Sequence, residues 1–243
     1  MNLWEQRHAA TIDMDRFRGH DQYLEQAPWY PYEAMTAWAG VHAPVCLLRM
    51  KEDDAFGCVA LPMARLTVSR DLLDSIAELH FIKAICGLTP ARVLDIGAGY
   101  GRLAHRMTEV DTDVFVYCTD AIAVSRLACA KYLAHRGVTR GAVVLPSDLG
   151  KLPPIDLAVN VHSWSECSMA DVCGWLDWVT TARVGHLFIV PHTPAFGVYS
   201  EEHGGGNGPT YLGELHARGW EQTGLWNGPG CCPRTYSMWE AGT

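Results

Sequence analysis

The chain has 243 residues, about half of them apolar, enough to bury one substantial core and ordinary for a single α/β domain with an attached lobe. Its 19 basic and 27 acidic residues leave a formal charge of −8, and the lysines (51, 83, 131, 151) and arginines are scattered, which disfavours a nucleic-acid partner and favours a small molecule. Nine cysteines without a CxxC pair suggest neither a zinc cage nor a complete disulfide framework, and reduced thiols in a cytoplasm are the simpler reading.

The first twenty residues, MNLWEQRHAATIDMDRFRGH, carry charges throughout and lack the apolar core of a signal peptide. No later run approaches the ~18 apolar residues of a spanning helix. A soluble, cytoplasmic protein with no membrane partner is expected. Residues 1–67 are rich in proline and in Trp4, Tyr23, Trp29, Tyr30, Tyr32 and Trp38, with weak helical patches and a hairpin expected around DDAFGCVALPM. They read as an N-terminal lobe over the ligand edge of a main domain spanning 68–243.

From residue 68 the pattern alternates. SRDLLDSIAELHFIKAICG predicts a helix capped by Ser69 and stopped at Gly87. RVLDIGAG predicts a buried strand breaking into a glycine turn, and RLAHRMTEV the helix after it. VFVYCTD (114–120) is the next strand, followed by a helix ended by Gly137, then strands at 141–149 and 156–164, a helix across MADVCGWLDWVTTA and a strand at 186–193. Strands separated by helices imply parallel pairing and a doubly wound, Rossmann-like α/β sheet of seven strands, mostly parallel. YLGELHARGWEQTGLWNG and RTYSMWEA supply a last helix and an antiparallel strand pair closing that sheet.

In such sheets ligands bind beyond the carboxyl ends of the strands, where the strand order reverses. Gly97, Gly99 and Gly101 fall at that edge, where glycine permits positive φ and removes a Cβ that would hold a ligand off the main chain. A GxGxxG dinucleotide fingerprint would need a small residue at 102, where Arg102 stands. Asp95 with the three glycines makes D-x-G-x-G-x-G instead, which resembles motif I of the class I S-adenosylmethionine-dependent methyltransferases. The resemblance implies that Asp95 and the glycines hold the cofactor's amino-acid end, that Asp120 accepts the ribose hydroxyls with Ala121 beside it, and that Ser147, Asp148 and Leu149 meet the adenine.

A second resemblance sharpens the first. SRDLLDSI, VLDIGAGYGRLA, the KYL at 131–133 and NVHSWSE look like the bacterial sugar O-methyltransferases, whose fourth strand runs into N-x-x-S-x-x-E, matched by Asn160, Ser163 and Glu166. Asp120-Ala121-Ile122 departs from that family's aspartate–leucine–proline. The resemblance implies S-adenosylmethionine as cofactor, S-adenosylhomocysteine as product, and a sugar or sugar-bearing natural product as acceptor.

A hydroxyl acceptor loses its proton as it attacks, which calls for a base titrating near neutrality. His162, at the end of the fourth strand, is the expected base. Glu166, four residues on, would orient that imidazole or bond the acceptor if the chain turns helical there, and His192 is the second candidate. Asp148, Glu166, Glu201 and Glu202 form no dense acidic cluster, so no metal ligands are assigned and the metal requirement stays open. EEHGGGNGPTY (201–211) has no lysine for a phosphate loop and reads either as a flap over the acceptor, with His203 within it, or as a surface loop with no role. An N-methyltransferase of a small metabolite and a non-catalytic protein binding the same nucleoside are the rival readings.

Overall fold

The helix that opens the alternating part of the chain begins where Ser69 accepts a hydrogen bond from the Leu72 N–H (3.0 Å). In this computed structural model, which describes residues 13–18, 30–192, 196–197 and 210–242, that helix is the third. It follows α1 (Tyr32–His42), α2 (Pro44–Arg49) and a hairpin of β1 (Leu61–Met63) and β2 (Leu66–Val68). The hairpin lies later than the sequence suggested. Asp53 accepts from the Ala55 N–H, and Phe56 and Gly57 take positive φ, so Ala55–Gly57 coils into a 3-10 turn and pairing starts only at Leu61.

Helix α3 (Arg70–His80) continues through a π turn at Phe81–Ile85 and stops before Gly87 (φ +69°). Then come β3 (Arg92–Ile96), α4 (Arg102–Val110), β4 (Phe115–Thr119), α5 (Ala123–His135), β5 (Gly141–Val144), β6 (Leu157–Val161), α6 (Met169–Thr181), β7 (His186–Val190), α7 (Leu212–Ala217), β8 (Trp220–Trp226) and β9 (Tyr236–Ala241). Three strands are shorter than the apolar runs that encode them. Pro146 has no N–H for the ladder and opens a 3-10 turn at Pro146–Lys151, and β6 ends at a left-handed His162. β7 stops at Val190 rather than reaching residue 193, and residues 193–195 lie outside the described residues.

The seven-stranded sheet has the order β5-β4-β3-β6-β7-β9-β8. β5, β4, β3, β6 and β7 run parallel, and β9 and β8 close one edge antiparallel, as expected. The order reverses at β3, whose neighbours β4 and β6 leave a crevice at its carboxyl end. Alternate side chains feed two apolar clusters: Val93, Val116 and Phe188 on one face, Leu94, Ala158 and Ile189 on the other. Tyr30, Met35, Ala39, Leu47 and Met50 share the first cluster, so the described part of the N-terminal region packs directly on the sheet's helical layer. No helix among the described residues is long and apolar enough to cross a membrane, and no cluster among them could hold a metal ion. Trp4, Tyr23, Trp29, Glu201, Glu202, His203 and the glycine-rich stretch 204–208 lie outside the described residues.

Candidate active site

The chain leaving β3 is strapped to β4 by two hydrogen bonds, from the Gly97 and Ala98 N–H groups to the Thr119 carbonyl (2.9 and 3.0 Å). Gly97, Gly99 and Gly101 all adopt positive φ, +73°, +54° and +84°. They answer to different demands. A Cβ on Gly97 would overlap the Ser163 side chain, and one on Gly101 would stand 2.7 Å from Cys129 Sγ of α5, so these two are fixed by the protein's own packing. Nothing lies within 4 Å of the Cβ position of Gly99. Only there is the space free for something else.

A cavity of about 290 Å³ opens at this turn, at the small end of the range for ligand pockets. Of the residues expected to serve the site, Asp95, Gly97, Gly99, Asp120, Ala121, His162 and Glu166 border it. Asp120 Oδ2 accepts from the Gly99 N–H (3.1 Å) and Oδ1 from the Ile122 N–H (2.8 Å), fixing the carboxylate at the tip of β4. Burial pushes its pKa up, with the two N–H donors opposing. Burial likewise pushes Asp95 up to about 7; Arg102 works against this, while Glu78 and Asp120 add to it. Asp95 therefore titrates across neutrality.

The remaining expected residues stand off the cavity wall. Gly101 lies beneath the turn as the left-handed cap of α4. In the 3-10 turn after β5, Ser147 is exposed, Asp148 pairs with Lys151 (2.7 Å), and Leu149 is buried in the second core cluster. Asn160 is buried and acts as a strut. Its Nδ2 donates to Ile96 O (2.9 Å) and Ser163 Oγ (2.5 Å), and its Oδ1 accepts from the Trp164 N–H (3.2 Å), tying the end of β6 to the end of β3.

His162 is the most unusual residue of the site. It has φ +67° and ψ −32°, a conformation that costs a non-glycine residue of order 1–3 kcal/mol. Its N–H is held by Val190 O (2.8 Å), its ring stacks on His192 at 4.5 Å, and its buried Nδ1 has no hydrogen-bond partner. Burial, then the neighbouring His192, Arg234, Arg102 and Arg70, hold its pKa well below the usual range, so the imidazole is neutral. Glu166 does not orient His162. Its Oε1 meets His192 Nε2 (3.2 Å), because Ser163–Glu166 forms a 3-10 turn, in which residues three apart eclipse and those four apart diverge.

Sequence reasoning missed Tyr100, Arg102, Cys167 and Trp175, which also border the cavity. Arg102 carried a signal that was used only to reject a dinucleotide. Opening α4, it forks onto Glu78 (2.9 and 2.9 Å) and reaches Ser75 Oγ (2.6 Å), placing a cation beside Asp95.

No family model and no curated protein matches the chain. Solved structures do. A Nostoc punctiforme protein assigned as an O-methyltransferase aligns at 16% identity and TM-score 0.52, over 68% of this chain and 55% of its own. A mitomycin 7-O-methyltransferase aligns at 16% and 0.50, over 70% and 56%. The chain thus spans little more than half the length of either. A precorrin-6y C5,15-methyltransferase from Geobacter metallireducens aligns at 11% and 0.50, over 75% of this chain and 94% of its own. What this chain shares with all three is the fold, a doubly wound Rossmann-like sheet.

Proposed function

We propose that the protein is an S-adenosylmethionine-dependent methyltransferase acting on a hydroxyl of a small polar acceptor, a sugar or sugar-bearing natural product, in the cytoplasm. The observation that carries this reading is the cavity at the β3 turn, where Asp95, the bare Gly99 position and Asp120 meet His162. These residues fit the nucleoside. Gly99 leaves main chain uncovered, Asp95 and Asp120 offer one carboxyl for an ammonium and one for a pair of sugar hydroxyls, and the buried Nδ1 of His162 lacks a partner.

When bound, the cofactor supplies an electrophilic methyl on a sulfonium. The chain's own residues do the rest. The glycine turn and Asp120 orient, and the buried wall excludes water; alignment of this kind is worth ~7–11 kcal/mol. His162, neutral at working pH, takes the acceptor's proton, while His192, held by Glu166, stacks behind it.

Calorimetry with S-adenosylhomocysteine tests the cofactor reading. Binding is expected, weakened at least ~10-fold by Asp120→Ala, a loss of ~1.4 kcal/mol; absence of heat with the folded wild type would sink it. One observation favours an amine acceptor instead. A strongly depressed His162 is a weak base, and a neutral amine needs none. His162→Ala separates the two: a loss of ~100-fold or more in kcat supports the hydroxyl, and near-unchanged kcat supports the amine.

A further inference from the structure

The antiparallel strand brings a further group to the same edge. β9 pairs with β7 so that Ile189 faces Ser237, which sets Tyr236 level with Val190 at the end of β7 and carries Arg234 just past the edge where β6 and β7 lead into His162 and His192. The main chain at Arg234 is fixed. Its N–H donates to Asn227 O (3.0 Å), Gly228 (φ +74°) packs so close that a Cβ there would stand 3.0 Å from Arg234 N, and the Cys232 N–H closes the turn on Pro229 O (2.8 Å).

Arg234 Nη1 donates to Asp74 Oδ2 (2.8 Å), the Arg70 guanidinium lies 3.4 Å from the same oxygen, and Tyr30 donates to Asp74 Oδ1 (2.8 Å). Two guanidiniums thus converge on one carboxylate. Among the described residues the Arg234 side chain spends one of its five N–H donors, and none of the others is a sealed atom lacking a partner. An arginine left with an open fork matches a carboxylate or a phosphate.

The geometry points to Arg234, backed by Arg70, as the docking point for an oxyanion on the acceptor, a carboxylate or a phosphate, which holds the acceptor's nucleophile toward His162. This rests on the methyl-transfer reading of the cavity. The charge balance agrees with it. Arg234, Arg102 and Arg70 are among the groups that hold His162 neutral, and an oxyanion on Arg234 would offset that field as the imidazole takes up a proton.

Ligand-observed NMR titrations of benzoate, phenyl phosphate and uncharged benzamide, with and without saturating S-adenosylhomocysteine, test the subsite. Benzoate or phenyl phosphate is expected to bind at least 10-fold more tightly than benzamide, the tighter of the two naming the group. Arg234→Gln should abolish the preference, Arg234→Lys should keep part of it, and S-adenosylhomocysteine should bind both variants as it binds the wild type. Equal binding of all three probes to the wild type, or a preference that survives in folded Arg234→Gln, overturns the inference. If S-adenosylhomocysteine fails to bind while the anion preference holds, the cofactor reading falls and the oxyanion subsite stands.

Discussion

The Ser163 side chain fills the space that a Cβ on Gly97 would need, and that contact can be tested directly. Gly97→Ala adds a Cβ overlapping Ser163 at φ +73°, which should destabilise the fold by ~2–4 kcal/mol. Ser163→Gly in the same chain should recover the steric part and leave ~1 kcal/mol of backbone strain. Chemical denaturation of the two single variants and the double variant gives the coupling; additive losses would show that the two residues do not meet. At Asp95 the sign follows from a folded pKa near 7 against ~3.9 unfolded. The folded state holds its proton more tightly, so Asp95 subtracts stability progressively from about pH 4 to about pH 7 and by a constant amount above that. Asp95→Asn should therefore raise the melting temperature more at pH 8 than at pH 5. For a ligand that sets its ammonium against Asp95 the dependence reverses: affinity for S-adenosylhomocysteine should rise from pH 6 to pH 8 in the wild type and stay flat in Asp95→Asn.

Single elements were legible wherever a terminator is local. Ser69 caps α3, and Gly87 and Gly137 follow their helices. The strand ends were misjudged because apolar residues continue past the last ladder bond. Val143-Val144-Leu145 reads as one strand, yet Pro146 turns the chain into the 3-10 segment that takes Ser147 and Asp148 off the cavity wall. After β6 the same difficulty decided the site, since nothing in HSWSE distinguishes a 3-10 turn from an α-helix, and the difference gives Glu166 to His192. Asn160 holds that turn. Asn160→Ala removes the bonds to Ile96 O, Ser163 Oγ and the Trp164 N–H from a buried setting, and about 1–3 kcal/mol per stranded group predicts a loss of ~2–4 kcal/mol in all. A loss below 1 kcal/mol in urea unfolding would mean that the turn is held elsewhere.

At the scale of the molecule, the residues that no local pattern could place are those brought in by distant segments. Arg234 reaches the active edge only through the β7–β9 register, and Arg18 is buried only because a short N-terminal stretch lies across the chain's middle. There the Glu52 side chain is fully buried and accepts from Arg18 Nη2 and Arg106 Nη2 (2.8 Å each) and from Ser69 Oγ, the cap of α3, while Arg136 forks onto Asp53. One carboxylate thus joins the N-terminal segment, α3 and α4. Burial alone would raise the Glu52 pKa, but Arg106 and Arg18 outweigh it and hold the group below its ordinary value. A depressed carboxylate contributes stability above its unfolded pKa of ~4.3 and loses it as pH falls through the folded value. Glu52→Gln keeps the shape but takes from two buried guanidiniums the counter-charge they share, leaving Arg106 on Glu109 and Lys51 O and Arg18 on Ala55 O, and should cost ~3–5 kcal/mol, a drop in melting temperature on the order of 10 °C at pH 7. The deficit should narrow as the wild type is acidified through the folded pKa of Glu52, which lies below its unfolded value, because its own carboxylate is then protonated. A melting temperature within about 2 °C of the wild type at pH 7, or a gap that widens in acid, would show that the N-terminal segment is not fastened to the sheet through this charge.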